Sequence, residues 1–160
     1  MNLRYHAFVV AILLFLGSTS LFAQGRDVSV PQTCEPSVNQ KLQQMIRNHP
    51  KKYTENVMAC GVAQKTTVNH GGPHGSHHII TVLVQLPEDG AVKIQIAIND
   101  SLDGAVSAKR NDPVFAYGQG YITHGAWVAG IHDVHCSTHP SADNGWIVVA
   151  GKKTPAACPR

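Results

Sequence analysis

Apolar and polar residues alternate with a period of two through most of the chain after position 56. The clearest case is 92–99, where Val92, Ile94, Ile96 and Ile98 fall on one face, opposite Lys93, Gln95 and Ala97. Alternation of this kind predicts a strand with one buried face. Weaker versions of the pattern predict further strands over 56–68, 78–86, 114–123, 127–135 and 146–150.

A helical pattern precedes the strands. The spacing of four apolar residues predicts one amphipathic helix that packs on the rest of the protein, with Val38, Leu42, Met45 and Ile46 on its buried stripe. Ser37 and Gln40 have the spacing of a capping box at its start. Asn48 and Pro50 are residues typical of its end.

The order of these elements predicts the fold. Three strands come before a polar connector at 100–113, which has room for a helical turn at 102–106, and two or three strands follow it. That order favours a mainly β protein, a small OB-like five-stranded barrel with an N-terminal helix. Glycines at 61, 118 and 120 suit a bulge or a curved wall. An open sandwich is the alternative.

The first 23 residues have the three parts of a signal peptide: a positive start at Arg4, an unbroken apolar run at 8–16, and a small-residue stretch ending at Ala23. The run is shorter than the roughly 20 residues that a membrane-spanning helix needs. The sequence therefore predicts an exported protein, periplasmic or extracellular, with four segments: signal peptide 1–23, leader and helix 24–52, barrel 53–153 and C-terminal tail 154–160.

The charge gives no strong signal for a nucleic-acid partner, although a neutral groove could still bind a polymer. The chain has 13 basic and 10 acidic residues, and removal of Arg4 with the signal leaves 12 basic residues, scattered along the sequence. Nucleic-acid binders carry a basic stripe or patch instead. Nucleic acid is therefore not a predicted partner, and no later stretch predicts a transmembrane segment.

Four cysteines remain after the signal, and an even number in an exported chain favours two disulfides. Three connectivities are possible. We prefer Cys34 with Cys60 and Cys136 with Cys158, because these pairs would tie the helix and the tail to the body. The alternative is that Cys136, next to His135, is a reactive thiol or a metal ligand.

The histidines are the feature of the sequence that most indicates a functional site. Eight of the ten lie between positions 70 and 139, mainly in two clusters at 70–78 and 132–139. Neutral imidazole is the commonest protein ligand for transition metals. His132 and His135 point to opposite faces of a straight strand, so they can share an ion only if the strand bends or ends near Asp133. Asp133 could then orient either ring, and the spacing is equally consistent with an exposed aspartate.

No established catalytic motif accompanies the histidines. The sequence lacks G-x-S-x-G, a phosphate-binding glycine loop, H-E-x-x-H and C-x-x-C. It therefore leaves open whether the protein is an enzyme. Three of the histidines, at 70, 74 and 124, are predicted to be surface residues.

Several short motifs carry a family resemblance. The segments 117–121, 130–135, His139-Pro140 and 145–147, with the strand start at 77–78 and the strand segment 96–99, resemble a family of small bacterial exported proteins known as domain of unknown function thirty-four sixty-five. The resemblance implies an envelope or secreted protein with a barrel-like domain and no established activity. The positions that match the family motif are His78, His132, His135, His139 and Trp146. Cys136 stands where the family usually has another histidine, and the spacing to His139 is shorter.

Four readings of the function remain as hypotheses. The first is a site for a transition metal, zinc or copper, with His78, His132, His135 and His139 as ligands. The second is a metal-dependent hydrolase built on that site. The third is a non-enzymatic OB-like module that binds a glycan, peptide or protein partner through exposed aromatic residues, Tyr117, Tyr121 and Trp127. A structural envelope protein with incidental histidines is the fourth reading.

Overall fold

A computed structural model of the protein describes residues 25–49, 55–70 and 75–159. The predicted signal peptide, Pro50 and His74 lie outside these residues. The described chain is mainly strand, with 45% strand and 13% helix. Its elements are a 3₁₀ turn Pro36–Asn39, α1 Gln40–Asn48, β1 Asn56–Asn69, β2 His77–Leu86, β3 Gly90–Asn99, α2 Asp100–Asp103, β4 Pro113–Ile122, β5 Ala129–His132, β6 Trp146–Val149 and β7 Lys152–Thr154.

Five strands close into a barrel in the order β1–β2–β3–β5–β4, with β4 pairing back onto β1. β3 and β5 run parallel, and the other neighbours are antiparallel. This confirms the predicted OB-like barrel. β6 and β7 extend the sheet from β4 outside the ring.

The alternating strand pattern fills the barrel interior. Ile94, Ile96 and Ile98 are each at most 1% exposed, and residues from every barrel strand join them in one core. Burying an aliphatic side chain of this size contributes about 1.5–3 kcal/mol. The outer face of the same strands carries the polar partners of the alternation, so polar side chains on β3, β4 and β5 lie outside the barrel.

Two predicted elements are corrected by the structure. β5 covers only Ala129–His132 rather than 127–135, because Asp133 takes a left-handed backbone with φ 54° and ends the strand. The helical turn of the connector is Asp100–Asp103 rather than 102–106, because the Asn99 side chain accepts a hydrogen bond from the Ser101 N–H and starts it early. β7 was not predicted; it pairs with β6 across a turn with positive φ at Ala150 and Gly151, as tight hairpins require.

The helix buries the predicted stripe, with Leu42 and Met45 in the core. The capping-box prediction is wrong, because Asn39 precedes α1 and its side chain caps nothing in the helix. That amide instead accepts from the Cys60 N–H at 2.7 Å and donates to the Gln85 carbonyl at 2.9 Å. Gln43 accepts from the Glu88 N–H at 2.8 Å, in the β2–β3 turn. α1 therefore closes the barrel end that carries this turn.

Both preferred disulfides are present, Cys34–Cys60 and Cys136–Cys158, and no described cysteine is free. The alternative reading of Cys136 as a reactive thiol or metal ligand is therefore wrong. Two disulfides indicate an oxidising, non-cytoplasmic compartment. Within the described ranges, no helix has the length and apolar character to cross a bilayer.

Candidate functional site

The site is built where β5 ends. Asp133 takes a left-handed φ of 54° and ends the strand. Gly118 on β4 and Gly145 before β6 lie against this strand end, and a Cβ on either would collide with the carbonyl oxygen of His132 or Asp133. The Gly145 N–H also donates to the His135 carbonyl at 2.8 Å. Segment 132–135 is thus held closely between two neighbouring strands.

The end of the strand places Asp133 between two histidines. Its Oδ1 lies 2.9 Å from His132 Nδ1 and 3.6 Å from His135 Nε2. A straight strand would have pointed the two rings to opposite faces, so the end of β5 at His132 meets the condition that the sequence set for bringing them together. Asp133 contacts both rings, with its half-exposed carboxylate within hydrogen-bond distance of His132 alone.

His135 has an oxygen partner at each ring nitrogen. Nε2 faces the Asp133 carboxylate, and Nδ1 lies 3.1 Å from the Cys136 carbonyl oxygen. Both partners only accept hydrogen bonds, so the ring satisfies them best as the doubly protonated imidazolium. Asp133 accordingly raises the pKa of His135 to about 9, against an opposing effect of burial. His132 first, and then His135, hold the pKa of the Asp133 carboxyl well below its usual range.

A cleft of about 350 Å³ opens beside this group on the outer face of the barrel. β2 begins and β3 ends at the paired residues His77 and Asn99, and both line the cleft. The remaining wall comes from α2 and the end of β5. The lining residues are His77, Ala97, Asn99, Leu102, Asp103, His132, Asp133 and His135.

A second hollow of about 670 Å³ adjoins the first. The two share four residues, Leu102, Asp103, Asp133 and His135. The second hollow continues past Gln119 and Thr138 to the C-terminal tail, where Pro155, Ala157 and Pro159 form part of the wall. The Cys136–Cys158 disulfide fixes this tail beside the site.

Asp103 is the residue that sequence reasoning missed. Its Oδ2 accepts from the Asn99 N–H at 2.9 Å, while its Oδ1 is buried and has no hydrogen-bond partner among the described residues. Burial raises the pKa of this carboxyl. Asp103 lies far from His135 along the chain, and no spacing in the sequence indicates that they share a cleft.

The four predicted metal ligands have different surroundings. His132 and His135 meet at Asp133, and His139 is exposed at the rim of the second hollow. His78 lies on the face of β2 opposite His77, and its Nδ1 is 2.6 Å from Asp100 Oδ1. Among residues 25–49, 55–70 and 75–159, no three His, Cys, Asp or Glu side chains are grouped to hold a metal ion. Metal binding by these positions stays a prediction.

The predicted aromatic platform is not exposed. Tyr117 donates to Asp143 Oδ2 at 2.6 Å and stacks on the buried Trp146. Tyr121 accepts from Gln95 at 2.7 Å and sets its ring edgewise to His132, at 5.4 Å between centroids. Trp127 donates to Thr81. All three are partly buried, and none lines either hollow. His70 and His124 are exposed, as predicted.

The fold and the site define a disulfide-bonded OB-like barrel with a polar cleft on its outer face. Comparison with protein-family models, curated proteins and solved structures finds no match in any of the three. The function is therefore argued from the chemistry of the cleft.

Proposed function

We propose that this protein is an exported, non-enzymatic OB-like module that binds a polar ligand in the cleft beside His135. One observation carries the proposal. A cleft of about 350 Å³ lies on the outer face of the barrel next to an oriented His–Asp–His group. Its volume is within the range of small-molecule sites, roughly 300–1,000 Å³. OB barrels bind polymers on the outer face of their second and third strands, where His77, Ala97 and Asn99 lie.

The state of His135 supports binding over catalysis. A general base needs a nitrogen lone pair, and both ring nitrogens of His135 already face oxygen acceptors. Asp133 is likewise engaged by two imidazoles. A fixed charge with fixed neighbours suits recognition, because its orientation is set before the ligand arrives.

Location and family follow as parts of the same proposal. The signal peptide at 1–23 would deliver the chain to the periplasm or the exterior, and the two disulfides fit either compartment. We extend the proposal to membership of the envelope-protein family that the I-H-x-x-H, H-P and G-W motifs resemble. Trp146, one of the matching positions, supports the barrel by donating to the Val28 carbonyl at 2.8 Å.

The test is an NMR titration of the mature, oxidised protein with four separate probes: a neutral oligosaccharide, a short peptide, a mononucleotide and zinc. We expect one organic probe to shift the amide signals of Asp103, His132 and His135. The Asp133→Asn variant should weaken the response, because it removes the charge that orients both rings. The His124→Ala variant, altered at an exposed loop histidine, is the matched control and should respond like the wild type.

Two results would contradict the proposal. Shifts confined to the loop histidines would show that the cleft is not the site. One zinc per chain, lost in His132→Ala and in His135→Ala but retained in His70→Ala, would favour the metal hypothesis instead. In that case the hydrolase hypothesis would merit a substrate screen.

A further inference from the structure

We infer that the ligand is a neutral oligosaccharide chain that extends from the cleft across Asp103 into the second hollow. This inference rests on the proposed binding function and specifies its ligand class. It draws on three features of the walls: their charge, their hydrogen-bonding groups and their continuity.

The charge of the walls disfavours anionic polymers. Among the described residues, neither hollow is lined by a lysine or an arginine. Polymers with phosphate or other repeated negative charges depend on such residues for affinity. The His135 ring already faces the Asp133 carboxylate at 3.6 Å, and Asp143 in the second hollow is paired with Arg26 at 2.9 Å. Of the two polymer classes that OB barrels bind, this leaves the oligosaccharide.

The hydrogen-bonding groups suit hydroxyls. Asn56, Gln119 and Thr138 line the second hollow, and amides and hydroxyls both donate and accept hydrogen bonds. Sugar hydroxyls have the same dual character. Asp103 adds a buried acceptor, Oδ1, without a partner among the described residues. Leaving such an atom unsatisfied is costly, and a hydroxyl that donates to it would remove that cost.

An apolar surface lies beside these polar groups. Leu102 is 64% exposed and borders both hollows. Prolines 155 and 159 add apolar surface on the tail side. A sugar ring has polar edges and apolar C–H faces, so a wall of this mixed kind complements both.

The cleft suits a peptide less well than an oligosaccharide. Extended peptides commonly bind by adding a strand to an open sheet edge. Among the described strands, the two beside the cleft have no open edge, since β3 lies between β2 and β5, and β5 lies between β3 and β4. In the cleft, a peptide would have to bind through side chains.

Because the cleft and the second hollow are continuous, the affinity for an oligosaccharide should depend on its length. The cleft and the second hollow, about 350 and 670 Å³, meet at Asp103, Asp133 and His135. A single sugar ring would occupy one of them, while a chain of several rings would contact both. Affinity should therefore rise with the number of rings until both hollows are filled.

The experiment is calorimetric titration of the mature, oxidised protein with neutral β-linked glucose and N-acetylglucosamine oligomers of one to six rings. We expect the dissociation constant to fall at least tenfold between the monomer and the tetramer. Thr138→Arg, which obstructs only the second hollow, should abolish this gain and keep the monomer affinity. Thr67→Arg, at an exposed position of β1, is the matched control and should keep the gain.

Asp103→Ala provides a second variant, which should weaken oligomers of every length because it removes the shared acceptor. A circular-dichroism spectrum like that of the wild type would show that the variant is folded. Equal affinity for all lengths would overturn the extended site and leave the proposed binding function intact. Tighter binding of an acidic polysaccharide of equal length, or of a peptide that shifts the same amides, would overturn the ligand class. Failure of every organic probe would overturn both.

Discussion

The two ends of the barrel use polar side chains in opposite ways. At the helix end, Asn39 and Gln43 bind backbone groups of the barrel, and every such contact ties α1 to the wall. At the cleft end, Asp133 contacts two histidines, and Asp103 keeps a buried oxygen without a partner among the described residues. Most buried polar groups in folded proteins have a partner, so an oxygen without one calls for an explanation. The contrast between the two ends supports the proposed ligand cleft, which would supply that partner.

The largest loss of stability should come from removing a disulfide, of which there is one at each end of the barrel. Each closes a loop of similar span, 26 residues for Cys34–Cys60 and 22 for Cys136–Cys158. Replacing either pair by serine should lower the free energy of unfolding by roughly 3 kcal/mol, as measured by urea denaturation.

The two pairs should differ in their effect on the cleft. Only the loss of Cys136–Cys158 should shift the NMR signals of His135, because Cys136 supplies its carbonyl partner. Equal disturbance of His135 by both double variants would show that the ends are not independent.

A substitution at Gly145 tests its close packing against the backbone of Asp133. Gly145→Ala should destabilise the protein by about 1–3 kcal/mol, since its Cβ would overlap the Asp133 carbonyl. Gly61→Ala is the matched control, because its Cβ would meet the Leu83 carbonyl on the other side of the barrel. Both variants should unfold at lower urea concentration, and only Gly145→Ala should lower the pKa of His135 in an NMR titration. If the pKa of His135 is unchanged in Gly145→Ala, the packing of Gly145 on Asp133 does not set the position of His135.

The charged pair at the cleft end predicts a pH dependence. The pKa of His135 is raised from 6.5 to about 9 in the folded protein, so its stabilisation is fully present below pH 6.5 and is lost as the pH rises through 9. His135→Gln should flatten the pH profile of the urea midpoint between these values. His124→Gln should leave the profile as in the wild type. A wild-type profile that is already flat in this window would refute the ion pair.

The smallest effect should come from the surface ion pairs of the helix end. Arg47 contacts Asp89 through two hydrogen bonds, at 2.6 and 2.8 Å, and Glu88 at 2.9 Å, all on exposed side chains. Arg47→Ala should lower the melting temperature slightly, and high salt should remove the difference from the wild type. The oligosaccharide affinity should not change. A loss of oligosaccharide affinity in Arg47→Ala would show that the two ends of the barrel are energetically coupled.

Local patterns in the sequence predicted most of the fold. The alternation over 92–99 and the helical stripe of Leu42 and Met45 correspond to buried faces, because strand or helix geometry sets the period and burial of one face makes it apolar. The sequence left three disulfide pairings open, and the one preferred for attaching the helix and the tail is present. The strand pattern also predicted that His132 and His135 could come together only if the strand bent or ended near Asp133.

The tertiary structure decided which polar residues form the site. The φ of Asp133 is accommodated by Gly118 and Gly145 from other strands, and Asp103 reaches His135 only because the barrel closes with β3 beside β5. The helix start shows the same limit, since local spacing indicated a capping box of Ser37 and Gln40, whereas Asn39 precedes α1 and its side chain binds Cys60 and Gln85. Periodicity reports which face of an element is buried, whereas the partners of a polar side chain depend on strand register across the whole chain. The sequence by itself therefore determined a disulfide-bonded β-barrel with an N-terminal helix, and only the closed barrel determined the cleft.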